Sequence, residues 1–246
     1  MESNNSIERL DYMPGKKRYI FQRDDVFSFS IDAVLLARFA KVPSDSGKVI
    51  DLCTGNGAIP LLLSLKTKAC IDGVEIQNIL SELAIKSCIY NGLENQIRII
   101  NSNILELYDE VSWGEYDLVT CNPPYFALTS EKGKNVNEKV SFARHEIACT
   151  LDDVIRISAK LVKQTGRLSM VHRPERLTEI LLTMKKYRLE PKKIQFVHPK
   201  QDREANMVLV EGVRSGKTGI RTLPPIFVYG NGKQYTKEFK ELYENW

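Results

Sequence analysis

From Lys48 onward the chain alternates short apolar runs with segments of helical spacing, and this alternation constrains its fold more than any other feature. Residues 49–52, 70–75, 97–100, 116–121 and 167–171 read as strands. Between or after them, 58–65, 79–90, 151–162 and 175–187 read as helices. Thr150 stands where an N-cap belongs, and Asn91-Gly92 where a helix should stop. Strands in parallel need long crossovers, and helices supply them, so the pattern predicts a parallel sheet covered by helices on both faces. Two further strands, at 193–197 and 207–212, have only a loop between them and predict a hairpin. The expected fold is therefore α/β: a Rossmann-like, doubly wound, mostly parallel sheet with an antiparallel edge strand. Before Lys48 the spacing predicts one helix, at 31–39. After Pro224-Pro225 it predicts an extended stretch, a Gly230-Asn231-Gly232 turn and a short amphipathic helix from Thr236.

Bulk properties narrow the class. With 246 residues, 43% of them hydrophobic, there is enough apolar material to bury a full core. No run is long enough to span a membrane and the first residues are polar, so a cytoplasmic protein is expected. The five cysteines, at 53, 70, 88, 121 and 149, are odd in number and lack C-x-x-C spacing. They read as reduced, mostly buried thiols. His145, His172 and His198 are scattered, which argues against a metal site. A net charge of +4 permits a polyanionic partner without requiring one.

Two motifs carry chemistry. The first is Asp51-Leu52-Cys53-Thr54-Gly55-Asn56-Gly57, which closes a strand and opens a helix. Gly55 and Gly57 lack Cβ atoms where a ligand must approach the backbone. A dinucleotide fingerprint would need a third small residue where Pro60 stands, and a phosphate loop would need a Gly-Lys-Ser/Thr ending. An acid before a G-x-G loop suits S-adenosylmethionine, which has an amino-acid zwitterion and a ribose but no phosphate. Asp51 and Thr54 are placed for the amino-acid end. Glu75, closing the second strand, can accept both ribose hydroxyls, and Asn103, after the third strand, can meet the adenine edge or simply cap a helix.

The second motif is Asn122-Pro123-Pro124-Tyr125, directly after the strand at 116–121. The amide oxygen of Asn122 and the adjacent Pro123 carbonyl can accept both hydrogens of a planar –NH2 group. The prolines hold those carbonyls with fixed φ, and the Tyr ring offers a stacking face. The long polar stretch 126–147 after it is a candidate substrate loop.

Together, the 51–57 loop, Glu75 and the Asn-Pro-Pro-Tyr tetrad resemble class I S-adenosylmethionine-dependent methyltransferases of the amino-methylating group, over roughly residues 48–212. Cys53 departs from the glycine many members carry there. Narrower features, the segment Phe27-Ser28-Phe29-Ser30-Ile31-Asp32 and Phe142-Ala143-Arg144-His145-Glu146, resemble bacterial tRNA adenine-N(6) methyltransferases that act beside the anticodon of a valine tRNA. The resemblance implies that residues 1–47 cover the cofactor and substrate site, with Phe29 and Asp32 near the cofactor. It implies a methyltransferase domain at 48–213, a C-terminal strand and helix packed on it at 214–246, and an RNA substrate. Arg144, His145, Lys132 and Lys134 are the candidate RNA contacts. Three rivals stand beside this reading: a protein glutamine-N(5) methyltransferase acting on release factors, a DNA adenine methyltransferase, and a non-catalytic RNA-binding module that keeps the fold. Fewer than fifty residues precede the first strand of the alternating pattern, which argues against the first.

Overall fold

The computed structural model describes residues 7–26, 28–123, 149–230 and 232–246. It begins with an antiparallel hairpin, β1 (Glu8–Tyr12) and β2 (Tyr19–Arg23), followed by helix α1 (Ile31–Phe39). Then comes the alternating region: β3 (Lys48–Leu52), α2 (Ala58–Leu63), β4 (Cys70–Glu75), α3 (Asn78–Tyr90), β5 (Ile97–Asn101) and β6 (Tyr116–Cys121). After the tetrad follow α4 (Leu151–Leu161), β7 (Val162–His172), α5 (Leu177–Lys186), β8 (Leu189–His198) and β9 (Met207–Arg214). The tail adds β10 (Arg221–Thr222), β11 (Ile226–Phe227) and α6 (Lys237–Glu244).

The strands lie in the order β10-β8-β9-β7-β6-β3-β4-β5, with β11 also paired to β8. From β7 through β5 every pairing is parallel. β9 runs antiparallel to both β7 and β8, and the short tail strands extend that side of the sheet. Successive strands β3, β4 and β5 are laid outward in one direction, and β6 then returns to the other side of β3. A crevice therefore opens between β3 and β6 at their carboxyl ends, where ligands bind in such sheets.

Alternation along each strand divides the core in two. Val49 and Leu118 face α1 and α2, whereas Ile50 and Val119 face α4. The first half also holds Met13 and Ile20 from the N-terminal region and Phe239 from α6, so both ends of the sequence share one packed layer with the sheet. Lys66 closes α1 by donating to the carbonyls of Ala37, Arg38 and Ala40 at 2.7, 3.3 and 2.7 Å, satisfying acceptors that a helix end leaves open. Burial lowers the Lys66 ammonium to about 8. The expected N-cap of α4 is a full capping box: Thr150 Oγ1 accepts from Asp153 N, and Asp153 Oδ2 accepts from Thr150 N.

The hairpin β1–β2 is the element that the sequence pattern does not announce. β1 is almost wholly exposed and shows no apolar alternation. What holds β2 is polar. Asn91, read as a helix stop, also accepts from Tyr19 N and donates to Tyr19 O, at 2.9 and 2.7 Å, and Ser87 Oγ accepts from Phe21 N at 2.9 Å. These bonds from α3 and its C-cap satisfy a strand edge that no other described strand covers.

Phe239 is 1% exposed and ties α6 to the α1–α2 layer. Truncating it leaves a cavity, so Phe239→Ala should cost about 3–5 kcal/mol in urea unfolding. Glu241→Ala, on the exposed side of the same helix, should change stability by less than about 0.5 kcal/mol.

Candidate active site

The loop leaving β3 is shaped by what its short side chains bind. Asp51 is completely buried. Its Oδ2 accepts from Thr54 Oγ1 and its Oδ1 from Thr120 Oγ1, both at 2.6 Å. Thr120 belongs to β6, so one carboxylate joins the two strands that flank the crevice. Nothing in the sequence motifs points to Thr120. Its place opposite Asp51 follows from the β3–β6 register, which pairs the two directly. Burial pushes the Asp51 carboxyl up to about 7. The two threonine hydroxyls oppose that shift, and the nearby Glu75 adds to it.

Glu75 ends β4 and is 5% exposed. Its Oε2 accepts from Gly55 N and its Oε1 from Gln77 N, both at 2.9 Å. Each oxygen keeps a lone pair beyond these bonds. Cys53, Gly55 and Gly57 have φ of 57°, 58° and 84°. Three left-handed residues in five make the sharp turn from strand into helix, and Gly57 caps α2. The departure at Cys53 is therefore a non-glycine residue in a conformation that costs an L-residue about 1–2 kcal/mol. Its thiol lies against those of Cys121 and Cys149. All three are pushed above the ordinary range, Cys53 and Cys149 by the neighbouring thiol and Cys121 by burial. They are protonated packing groups rather than nucleophiles.

The pre-strand segment reaches this loop. Asn56 Nδ2 donates to Phe21 O at 3.3 Å, and Phe29 N donates to Gln22 Oε1 at 3.1 Å. Phe29 packs against the α1–α2 layer, and Asp32, in the first turn of α1, accepts from Ser30 Oγ at 2.7 Å. Asn103 caps the short turn Ile104–Glu106 by accepting from Leu105 N at 3.0 Å. Its amide nitrogen thus remains the group that can address a ligand.

Asn122 and Pro123 follow β6 directly, Asn122 half-buried and Pro123 buried. Because Cys121 pairs with Leu52, Asn122 emerges beside Cys53 and the start of the loop. Pro124 and Tyr125, and with them Lys132, Lys134, Arg144 and His145, lie outside the described residues. Among the described residues no cluster of three His, Cys, Asp or Glu side chains could hold a metal ion, and no helix is long and apolar enough to cross a membrane.

The sequence profile of the methyltransferase small domain matches residues 19–187. The chain belongs to that family. Among curated relatives of this methyltransferase, a tRNA1(Val) (adenine(37)-N6)-methyltransferase of Parabacteroides distasonis is 26% identical over 200 residues, covering 81% of this chain and 82% of the relative. A protein of the same name from Porphyromonas gingivalis is 28% identical over 222 residues, covering 87% and 86%. Solved structures share the methyltransferase fold. A predicted O-methyltransferase from Agrobacterium tumefaciens superimposes with a TM-score of 0.68 at 20% identity, covering 87% of this chain and 95% of that one. Geranyl diphosphate C-methyltransferase from Streptomyces coelicolor, crystallised with S-adenosyl-L-homocysteine, gives 0.58 at 13% identity, covering 75% and 78%.

The buried Asp51 carboxyl gives the methyltransferase a signature in pH. Its folded value, about 7, lies above the ordinary 3.8. Below pH 3.8 the folded and unfolded states both hold the proton. As pH rises towards 7 the unfolded state releases it while the folded state keeps it, so stability falls by up to about 1.4 kcal/mol per pH unit. The difference in urea stability between Asp51→Asn and the natural protein should therefore grow in favour of the variant from pH 4 to 7 and level off above it. A pH-independent difference would contradict the assignment.

Proposed function

We propose that this methyltransferase transfers a methyl group from S-adenosylmethionine to the exocyclic amine of an adenine in RNA, in a tRNA near the anticodon. One observation carries the reading: the β3–β6 pairing sets Asn122 and Pro123 beside the Cys53–Gly57 turn and its two buried carboxylates. The names of the curated relatives support the choice of substrate.

The residues present fit the cofactor. The 51–57 loop contains no Lys or Arg to neutralise a phosphate. Gly57, expected to make room for a ligand, instead turns its missing Cβ toward Ala84 of α3, where a side chain would come within 3.2 Å, so it serves helix packing and the left-handed turn. Glu75 would take the ribose hydroxyls with the lone pairs left by Gly55 and Gln77. Asp51, through the Thr54 hydroxyl it orients, would serve the ammonium end, and Asn103 the adenine edge. Phe29 and Asp32 would close over the same site. When bound, S-adenosylmethionine supplies an electrophilic sulfonium methyl.

The protein's task is then to present a nitrogen. An exocyclic amine is a poor nucleophile because its lone pair is delocalised into the ring. The Asn122 amide oxygen and the Pro123 carbonyl accept its two hydrogens, favour a more tetrahedral nitrogen and aim the lone pair at the methyl. The benefit is orientation and electrostatics. No strong base is required before attack, since the nitrogen becomes acidic once methylated and then releases its proton to solvent. Tyr125 would stack on the unstacked base, which costs less to extrude from a tRNA loop than from a duplex. Arg144, His145, Lys132 and Lys134 would hold the RNA backbone.

Labelled methyl transfer to tRNA, ribosomal RNA, DNA and release factor, run in parallel, tests the reading. Label should enter tRNA and be recovered as N6-methyladenosine after nuclease digestion. Label confined to the release factor would establish glutamine-N(5) transfer instead. In Asn122→Ala the rate should fall about 100- to 1,000-fold while cofactor affinity is unchanged. An unimpaired variant would overturn the mechanism.

A further inference from the structure

β8 runs in the direction of β6 and β7, and β11 runs with β8, so their carboxyl ends share one rim of the sheet with Asn122. Four strand spacings separate β6 from β11, about 19 Å along that rim. Beyond β8 and β11 the rim ends in an open cleft of about 850 Å³ between the turn after β8 and the tail. It is lined by Lys200, Tyr229, Lys233, Gln234, Tyr235 and Lys240, together with Gly232. Three lysines and two tyrosines thus line it, with no carboxylate among the lining residues. None of the three lysines forms an ion pair with a described residue, although the surface elsewhere is rich in such pairs. A second cleft of about 750 Å³ shares Lys200 and Tyr229 and does include acids, Asp202 and Glu238.

The rings are held rather than loose. Tyr229 and Tyr235 are stacked, with centroids 5.4 Å apart and planes at 26°, and their backbones pair as an isolated antiparallel β-bridge. Tyr235 also packs on Phe239, the buried anchor of α6. Tyr235 nevertheless remains 40% exposed. Tyr243 holds the same ring, at 5.7 Å between centroids. A fixed, partly exposed ring beside lysines that pair with no described carboxylate matches the chemistry of an unpaired nucleotide: a base to stack and phosphates to neutralise.

We propose that this cleft is a second RNA site, which takes an unpaired nucleotide flanking the base presented to Asn122. Tyr235 stacks its base, and Lys200, Lys233 and Lys240 hold its phosphates. The proposal rests on the RNA reading above and adds where, outside the reacting base, the substrate is gripped. Stacking and phosphate contacts carry no base identity, so what Tyr235 and the three lysines contribute is affinity and register rather than choice of base.

The test is the triple variant Lys200→Gln, Lys233→Gln, Lys240→Gln, which leaves the rings and the core intact. Binding of the natural protein and the variant to a fluorescent RNA stem-loop is measured by anisotropy from low to moderate salt. The slope of log affinity against log salt should fall by about 2, roughly 0.7 for each phosphate no longer neutralised. The KM for tRNA should rise at least about 10-fold with kcat within about twofold, and the affinity for S-adenosylhomocysteine should not change. An unchanged slope and KM would overturn the proposal. The binding arm needs no methyl acceptor. If label enters a protein and not RNA, the functional reading fails on its own, while the cleft stands or falls on the salt slope.

Discussion

The architecture of the site depends on two carboxylates buried at the ends of neighbouring parallel strands. Asp51 bonds to Thr54 in its own loop and Thr120 on β6, and Glu75 reaches from β4 to Gly55. Between them they fix the loop to three strands at once. Without Asp51 the crevice between β3 and β6 would lose its cross-link, and without Glu75 two backbone N–H groups would be left without their acceptor. Asn122 emerges where it does because β6 is locked to β3 by this pairing.

That arrangement is costly in isolation. A fully buried acid, a second acid close by and a non-glycine residue in the left-handed region all work against folding. The rest of the molecule offsets them with two apolar layers, one on each face of the sheet, and the N-terminal region and the tail share one of these layers. Local strain supported by a rigid surround is the pattern expected where the chemistry, rather than the fold, selects the residues.

Much of this was legible in the sequence. The runs at 70–75 and 116–121 are the observed strands, and 31–39 is the observed first helix. Glu75 and the glycines could be found because strand ends and G-x-G spacing announce them. Thr120 could not, since a threonine inside an apolar strand looks like ordinary β-propensity until the register sets it opposite Asp51. The hairpin β1–β2 was equally silent. Its docking rests on Asn91 and Ser87, polar residues of a helix distant in sequence, and no local period encodes a residue that completes another segment's strand edge. The cleft at Lys200, Lys233 and Lys240 is likewise a product of topology: the pairing of β11 with β8 brings Lys200, just after β8, to the tail that carries Lys233 and Lys240.

The most direct test of the central claim is a crystal structure of the protein with S-adenosylhomocysteine. The ligand should lie at the carboxyl ends of β3 and β4, its ribose on Glu75 and its backbone contacts at the Cys53–Gly55 turn, with the sulfur facing Asn122. A ligand bound elsewhere, or one whose sulfur is turned away from Asn122, would contradict the claim that the buried carboxylates build a methyl-transfer site.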